Sequence, residues 1–279
     1  MSEEVGYLGP PGTFGEQVAL LYLKQAGIDA SLHPLDSHTR VVRAVDAGET
    51  AYGVVAVENA LGGPVPEALD AIFAAKDVSL CAELTLPVEH HLIATPGAQI
   101  EDIVVVMSHP NALAQCRAFI EANLPNARIE AALSTAGGVE HAVVTPGAAG
   151  IGPRRAAEVY GGAILAESIQ DEDQDETRFV VLARNDAPRT GDDKTSIAFA
   201  VDHDRPGTLI AALSKISDRG LNITHIQLRP SRRGLGLYVF FIDFQGHRTD
   251  RTVQEALTAL ETQTRFLRVL GSYPRFSGA

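Results

Sequence analysis

The run YGVVAV at residues 52–57 constrains the fold more than any other stretch. It is apolar at nearly every position and stops abruptly in Glu58-Asn59-Ala60-Leu61-Gly62-Gly63. A strand without polar alternation belongs in a sheet covered on both faces, the habit of parallel sheets in α/β proteins. Residues 103–107 (IVVVM) and 148–152 (AAGIG) are runs of the same kind, with helical patterns between them. Strand alternating with helix, with little internal repetition, predicts an α/β architecture with mostly parallel sheets.

Polar residues collect just after these strands. Glu58 and Asn59 follow the first, and Ser108 follows residues 103–107. Thr135 follows a strand expected over residues 128–133, and Arg154 follows residues 148–152. In open α/β sheets, ligands bind outside the carboxyl ends of strands. Each residue alone has a bland reading, Asn59 as a left-handed turn residue for instance; the recurrence marks a site. The turn Gly9-Pro10-Pro11-Gly12 feeds a helix with Thr13 at its N-cap and Glu16 three residues on, a capping box. Such a turn offers free N–H groups to an anion. Further helices are expected from a cap near Asp36 or Ser37, from Pro66, from Pro110 and from Ser134.

Residues 78–94 (VSLCAELTLPVEHHLIA) read as long extended chain, able to cross between two lobes. His90 and His91 are adjacent, so in a strand they point to opposite faces, poor geometry for joint metal binding. One is expected buried and hydrogen-bonded, the other exposed. Residues 169–184 read IQDEDQDETRFVVLAR. Asp171, Glu172, Asp173, Asp175 and Glu176 crowd ahead of Thr177-Arg178-Phe179. Alone this is a solvated acidic turn entering a strand; beside the other strand ends it is a loop where binding groups concentrate.

A chain of 279 residues is too long for one ordinary core and implies two or three domains. The net charge of -12 argues against binding to nucleic acid or an anionic membrane. An anionic substrate would then need a few placed arginines. Cys81 and Cys116 cannot make a disulfide framework and suggest a reducing compartment. The start Met1-Ser2-Glu3-Glu4 is acidic, and no run approaches the ~20 apolar residues of a membrane span. A cytoplasmic protein is expected.

Residues 185–193 (NDAPRTGDD) form a polar linker. Beyond it come a strand over 195–201, a helix opened by Pro206-Gly207, a strand over 222–228 and a turn over 229–234 containing Arg232-Arg233. A strand over 235–244, a helix over 249–262 and a strand over 266–270 complete a βαββαβ order, the ferredoxin-like arrangement.

Taken in order, these motifs resemble the prephenate dehydratase family with its C-terminal ACT regulatory domain. The resemblance is carried by Gly9-Pro10-Pro11-Gly12-Thr13-Phe14, Val57-Glu58-Asn59, Leu86-Pro87-Val88 with His90 or His91, Ser108-His109-Pro110 with Ala112 and Gln115-Cys116, Ser134-Thr135-Ala136-Gly137, and Ile169-Gln170-Asp171 before Thr177-Arg178-Phe179. It implies a two-lobed catalytic part like a type II periplasmic binding protein over residues 1–184. One lobe would take about 1–77 with 161–184, the other 78–160, and an ACT domain would occupy 194–279. It also implies the absence of an N-terminal chorismate mutase domain. The implied effector is L-phenylalanine, bound between ACT domains of a homodimer or homotetramer. Its site would use Gly207, Thr208 and Leu209, Asn222, and Gln227, Leu228, Arg229 and Pro230. Two departures stand out: Ala60 where the family has serine, and Gln227-Leu228 where it has Glu-Ser.

The implied reaction converts prephenate to phenylpyruvate with loss of CO2 and water, and needs no metal or organic cofactor because aromatisation drives it. Thr177 would act on the leaving hydroxyl, with Glu58 or water as a relay. Arg178 would clamp a carboxylate, and Phe179 would be an apolar wall. Asn59, Ser108 and Gln115 would hold substrate oxygens, Thr135 and the turn at Thr13 would present donors to the pyruvyl carboxylate, and Phe14, Ala136 and Gly137 would also bind substrate. Two alternatives remain: an arogenate dehydratase, and a non-catalytic amino-acid sensor, against which Thr177-Arg178 with Glu58 argues.

Overall fold

The computed structural model describes residues 3–172, 174–202, 204–230 and 238–276. In chain order the first elements are β1 (Glu3–Leu8), α1 (Phe14–Ala26), β2 (Ala30–Leu35), α2 (His38–Ala47), β3 (Tyr52–Asn59), the two-residue β4 (Gly63–Pro64), α3 (Pro66–Ala74) and β5 (Ser79–Pro87). Then come β6 (His91–Ala94), a 3-10 turn (Ile100–Asp102), β7 (Val105–Ser108), α4 (Pro110–Gln115), α5 (Arg117–Asn123), β8 (Arg128–Ala131), α6 (Thr135–Ala142), β9 (Ala148–Gly152), α7 (Arg154–Tyr160), β10 (Ala163–Ala166) and β11 (Glu176–Ala183). The tail carries β12 (Asp193–Ala200), α8 (Thr208–Ser217), β13 (Ile223–Pro230), β14 (Tyr238–Gln245), α9 (Arg251–Glu261) and β15 (Phe266–Pro274). The chain falls into two compact units, residues 1–41, 54–63 and 85–179 in one and 42–53, 64–84 and 180–279 in the other.

The helix starts follow their caps. Thr13 accepts from Glu16 N at 3.4 Å, while the Glu16 carboxylate accepts from Gly12 N, one residue earlier than an ideal capping box. Ser37 Oγ accepts from Arg40 N at 3.1 Å, and Ser134 Oγ from Gly137 N at 2.9 Å. Pro66 and Pro110 stand in the first turns of α3 and α4.

Three sheets form, with strand orders β2-β1-β3-β11-β5, β10-β6-β9-β7-β8 and β13-β14-β12-β15; β4 pairs with β3. The long extended segment crosses as its pattern suggests: β5 belongs to the first sheet and β6, three residues on, to the second. The second sheet corrects the expectation of mostly parallel strands. β7 runs parallel to β8 and β9, but β6 is antiparallel to both β9 and β10. In place of a helical crossover, β6 is reached by direct extension of β5, so nothing turns the chain to make it parallel.

The histidine pair is also corrected. His90 and His91 are both buried. Successive residues of β6 enter different cores, Leu92 and Ala94 on one face and Ile93 on the other, so neither face of this strand meets water. His91 Nδ1 accepts from Ser168 N at 3.1 Å. Among the described residues, no group of three or more His, Cys, Asp or Glu is disposed to hold a metal. No helix among them is long and apolar enough to cross a membrane.

The tail has the order βαββαβ, with Ile197, Phe199, Ile242 and Phe244 buried under α8 and α9. Arg229 and Pro230 lie in β13 rather than in a turn, paired with Val239 and Tyr238 of β14. The expected turn at Arg232-Arg233 lies outside the described residues. In the same unit α3 sits against this sheet. The Phe73 ring meets Phe241 and Phe266 at 6.0 and 5.6 Å, Arg268 Nη1 donates to Phe73 O at 2.6 Å, and Arg229 pairs with Asp70 at 3.0 Å.

Candidate active site

Within the first unit a cavity of about 290 Å³ opens between the carboxyl ends of strands from two sheets. From the first sheet, Val54 and Ala56 of β3 and Thr177 and Phe179 of β11 line it. The turn after β1 adds Gly9, Thr13 and Phe14, and α2 adds its first residue, His38. From loops of the second sheet come His109, Leu133, Ser134 and Thr135. The lining is mostly apolar, with polar groups converging from loops, as small-molecule sites usually are.

Strand alternation decides which neighbours face the cavity. Thr177 and Phe179 do, so Arg178 between them takes the other side of β11. Glu58 shares the β3 face of Val54 and Ala56 but stands beyond the lining, half-buried.

A second group lies beside Thr177. Asp175 is only 3% exposed and accepts from Asn59 Nδ2 at 2.7 Å and Gln115 Nε2 at 2.8 Å. A carboxylate only accepts, so it fixes both amides with their NH2 ends inward. Asn59 Nδ2 also donates to Thr177 Oγ1 at 3.0 Å, and Asn59 Oδ1 takes Leu61 N and Gly62 N at 3.2 and 2.5 Å. The Thr177 oxygen is thus an acceptor from Asn59, and its own proton is free to go elsewhere. Gln115 Oε1, turned outward, meets His90 Nε2 at 3.1 Å, so that nitrogen carries the proton. The His90 ring packs edge-on against Phe14 at 5.7 Å, which returns the chain of contacts to the cavity wall. Burial holds the His90 pKa below the ordinary imidazole value, against the Gln115 hydrogen bond and the Asp175 charge, which raise it.

Several expectations are not met. Ser108 is fully buried and donates to Ile151 O at 2.6 Å, which ties β7 to β9 and takes its hydroxyl away from any ligand. Gln115 faces Asp175 and His90 rather than the cavity. Gly137 N is used by Ser134, and Ala136 is buried in the core under α6. Arg154 lies at the surface, paired with Glu167 at 2.9 Å. Asp175, His38 and His109 were missed. Asp175 is hidden among four neighbouring acids, and its only local signal is its place two residues before Thr177.

In the tail, Gly207 takes a left-handed φ of 79° ahead of α8, and Thr208 Oγ1 donates to Asp202 O at 2.7 Å. Asn222 O accepts from Gln245 N at 2.9 Å, and Gln227 Nε2 donates to Leu228 O at 3.0 Å. Arg229 is engaged by Asp70, and Leu209, Leu228 and Pro230 contribute apolar side chains.

Residues 5–187 match the family model described as prephenate dehydratase, and residues 195–262 match that of the ACT domain. The chain belongs to the prephenate dehydratase family. It is 41% identical over 272 residues to a bifunctional chorismate mutase/prephenate dehydratase of Aquifex aeolicus, covering 98% of this chain and 74% of that one. The solved prephenate dehydratase of Arthrobacter aurescens in complex with L-Phe superposes with a TM-score of 0.87 at 35% identity, over 98% of this chain and 90% of that one. A structure described as GqqA, a novel type of quorum quenching acylase, superposes with a TM-score of 0.86 at 26% identity, over 99% of each chain. Prephenate dehydratase and ACT domains therefore occur together here, on an α/β scaffold.

Proposed function

We propose that this chain turns prephenate into phenylpyruvate in the cavity bearing Thr177, as a step toward L-phenylalanine, and that its tail senses that amino acid. The observation that carries the reading is the hydrogen bond from Asn59 to Thr177 Oγ1, which leaves the hydroxyl proton for a leaving oxygen. As the proton passes, charge grows on Oγ1 and the fixed Asn59 N–H meets it, the logic of a preorganised donor. Phe179 and the apolar walls favour a carboxylate that departs as neutral CO2. Asn59 acts behind Thr177, and Gln115 behind Asp175, rather than on the substrate. Arg178, turned from the cavity, supports β11 in this reading instead of clamping substrate. Glu58 keeps a relay role at the rim.

The catalytic part is assigned to residues 1–184 and the regulatory part to 194–279. L-phenylalanine is the proposed effector, at Gly207, Thr208, Leu209, Asn222 and the 227–230 segment. The edge strand β13 exposes Ile226 and Leu228, which suits pairing with a second tail in a homodimer or homotetramer. A cytoplasmic location accords with two cysteines, Cys81 and Cys116, that form no disulfide. Ultraviolet detection of phenylpyruvate formed from prephenate tests the reading. Turnover is expected, with kcat/KM for arogenate well below that for prephenate. No product from either substrate would leave only the amino-acid sensor.

A further inference from the structure

Prephenate is a dianion, yet among the described residues no lysine or arginine lines the cavity. Its ionisable members are two imidazoles, and they come from different sheets. His38 opens α2 after β2 of the first sheet; His109 follows β7 of the second. His109 caps α4, its Nδ1 accepting from Asn111 N at 3.2 Å. The neutral ring must then carry its proton on Nε2, which leaves a donor edge for a ligand.

The chemistry decides which carboxylate such donors should hold. The ring carboxylate leaves as CO2 and sheds its charge in the transition state, so a donor fixed on it would oppose the reaction. The pyruvyl carboxylate keeps its charge from substrate to product, and a donor there binds both equally. We propose that His109, together with His38, receives the pyruvyl carboxylate and so governs affinity rather than the chemical step. Thr135, like His109, reaches the lining from just after a strand of the second sheet. A substrate held by both imidazoles is bonded to both sheets at once.

The inference rests on the reading that prephenate reacts in this cavity, and the test separates the two. Steady-state kinetics with prephenate, and inhibition by phenylpyruvate, are measured for His109→Asn, His109→Gln and His38→Leu. Asparagine keeps a capping side chain for α4 and removes the Nε2 donor. A hydrogen bond to a charged group lost from each site should raise KM and the phenylpyruvate Ki together by about tenfold, with kcat held within about threefold. Melting temperatures identify any variant that does not fold, and the remaining variants then decide. KM and Ki within twofold of the parent in the folded variants would overturn the proposal, as would a loss confined to kcat. If Thr177→Ala abolishes turnover while the histidine variants leave KM and Ki unchanged, only this inference falls. If Thr177→Ala leaves kcat intact, the assignment of the reaction to this cavity falls first.

Discussion

A threonine hydroxyl is a poor acid, so Thr177 can serve a leaving oxygen only with a donor behind its own oxygen. Asn59 supplies that donor, and Asp175 holds Asn59 in place. Thr177→Ala should therefore lower kcat by ~10²–10⁴-fold, the usual span for a lost proton donor, with an unchanged melting temperature. A fall of less than tenfold in a folded variant would remove Thr177 from that role. His90 makes a second, pH-linked prediction. Its pKa is lowered by burial, so below the ordinary value of 6.5 the unfolded chain binds a proton that the native state refuses. Stability should be full above about pH 6.5 and decline as pH falls from there toward the lowered native value. Chemical denaturation of the parent and of His90→Gln across pH 5 to 8 checks this: the variant should show a shallower decline, and an equal slope would exclude His90. Thr177, Phe179 and Asn59 were legible from motif order. Asp175 was not, because burial alone distinguishes it from the acids around it, and burial is set by β11 docking between β3 and β5.

Elements were more legible than directions. Caps and prolines marked α1, α2, α3, α4 and α6, because those signals act within one turn of chain. The antiparallel placement of β6 and β10 was not legible, since it depends on which strand edge is free when each arrives. The small residues of β9 have a reason that the sequence alone does not show. A Cβ built on Gly150 would lie 2.5 Å from Val139 Cα, so α6 packs with its backbone almost on the strand. That contact holds the N-terminus of α6, where Ser134 and Thr135 line the cavity. Gly150→Ala should push helix and strand apart and destabilise by roughly 1–3 kcal/mol, as overpacking does. Thermal unfolding reads it; a melting temperature equal to the parent's would show that α6 yields freely.

At the scale of the molecule, fold and activity separate. One architecture superposes on a prephenate dehydratase and on a protein described as an acylase, so the few side chains at the strand ends, not the scaffold, carry the chemistry. The regulation proposed for the tail is testable at α3. It follows β3 by seven residues from Asn59, and in its own unit it is held by two arginines of the tail sheet. Arg229 pairs with Asp70, and Arg268 donates to the Phe73 carbonyl at the last turn of α3. Because Arg229 also belongs to the proposed effector segment, Arg268 gives the cleaner test. Replacing it with methionine keeps the apolar stem against Phe73 and removes the donor. Phenylalanine should still bind Arg268→Met within about threefold by titration calorimetry, while its inhibition of turnover weakens by an amount drawn from the 1–3 kcal/mol typical of allosteric coupling. Binding and inhibition lost together would place Arg268 in the effector site itself. Both retained in full would show that α3 does not transmit the signal.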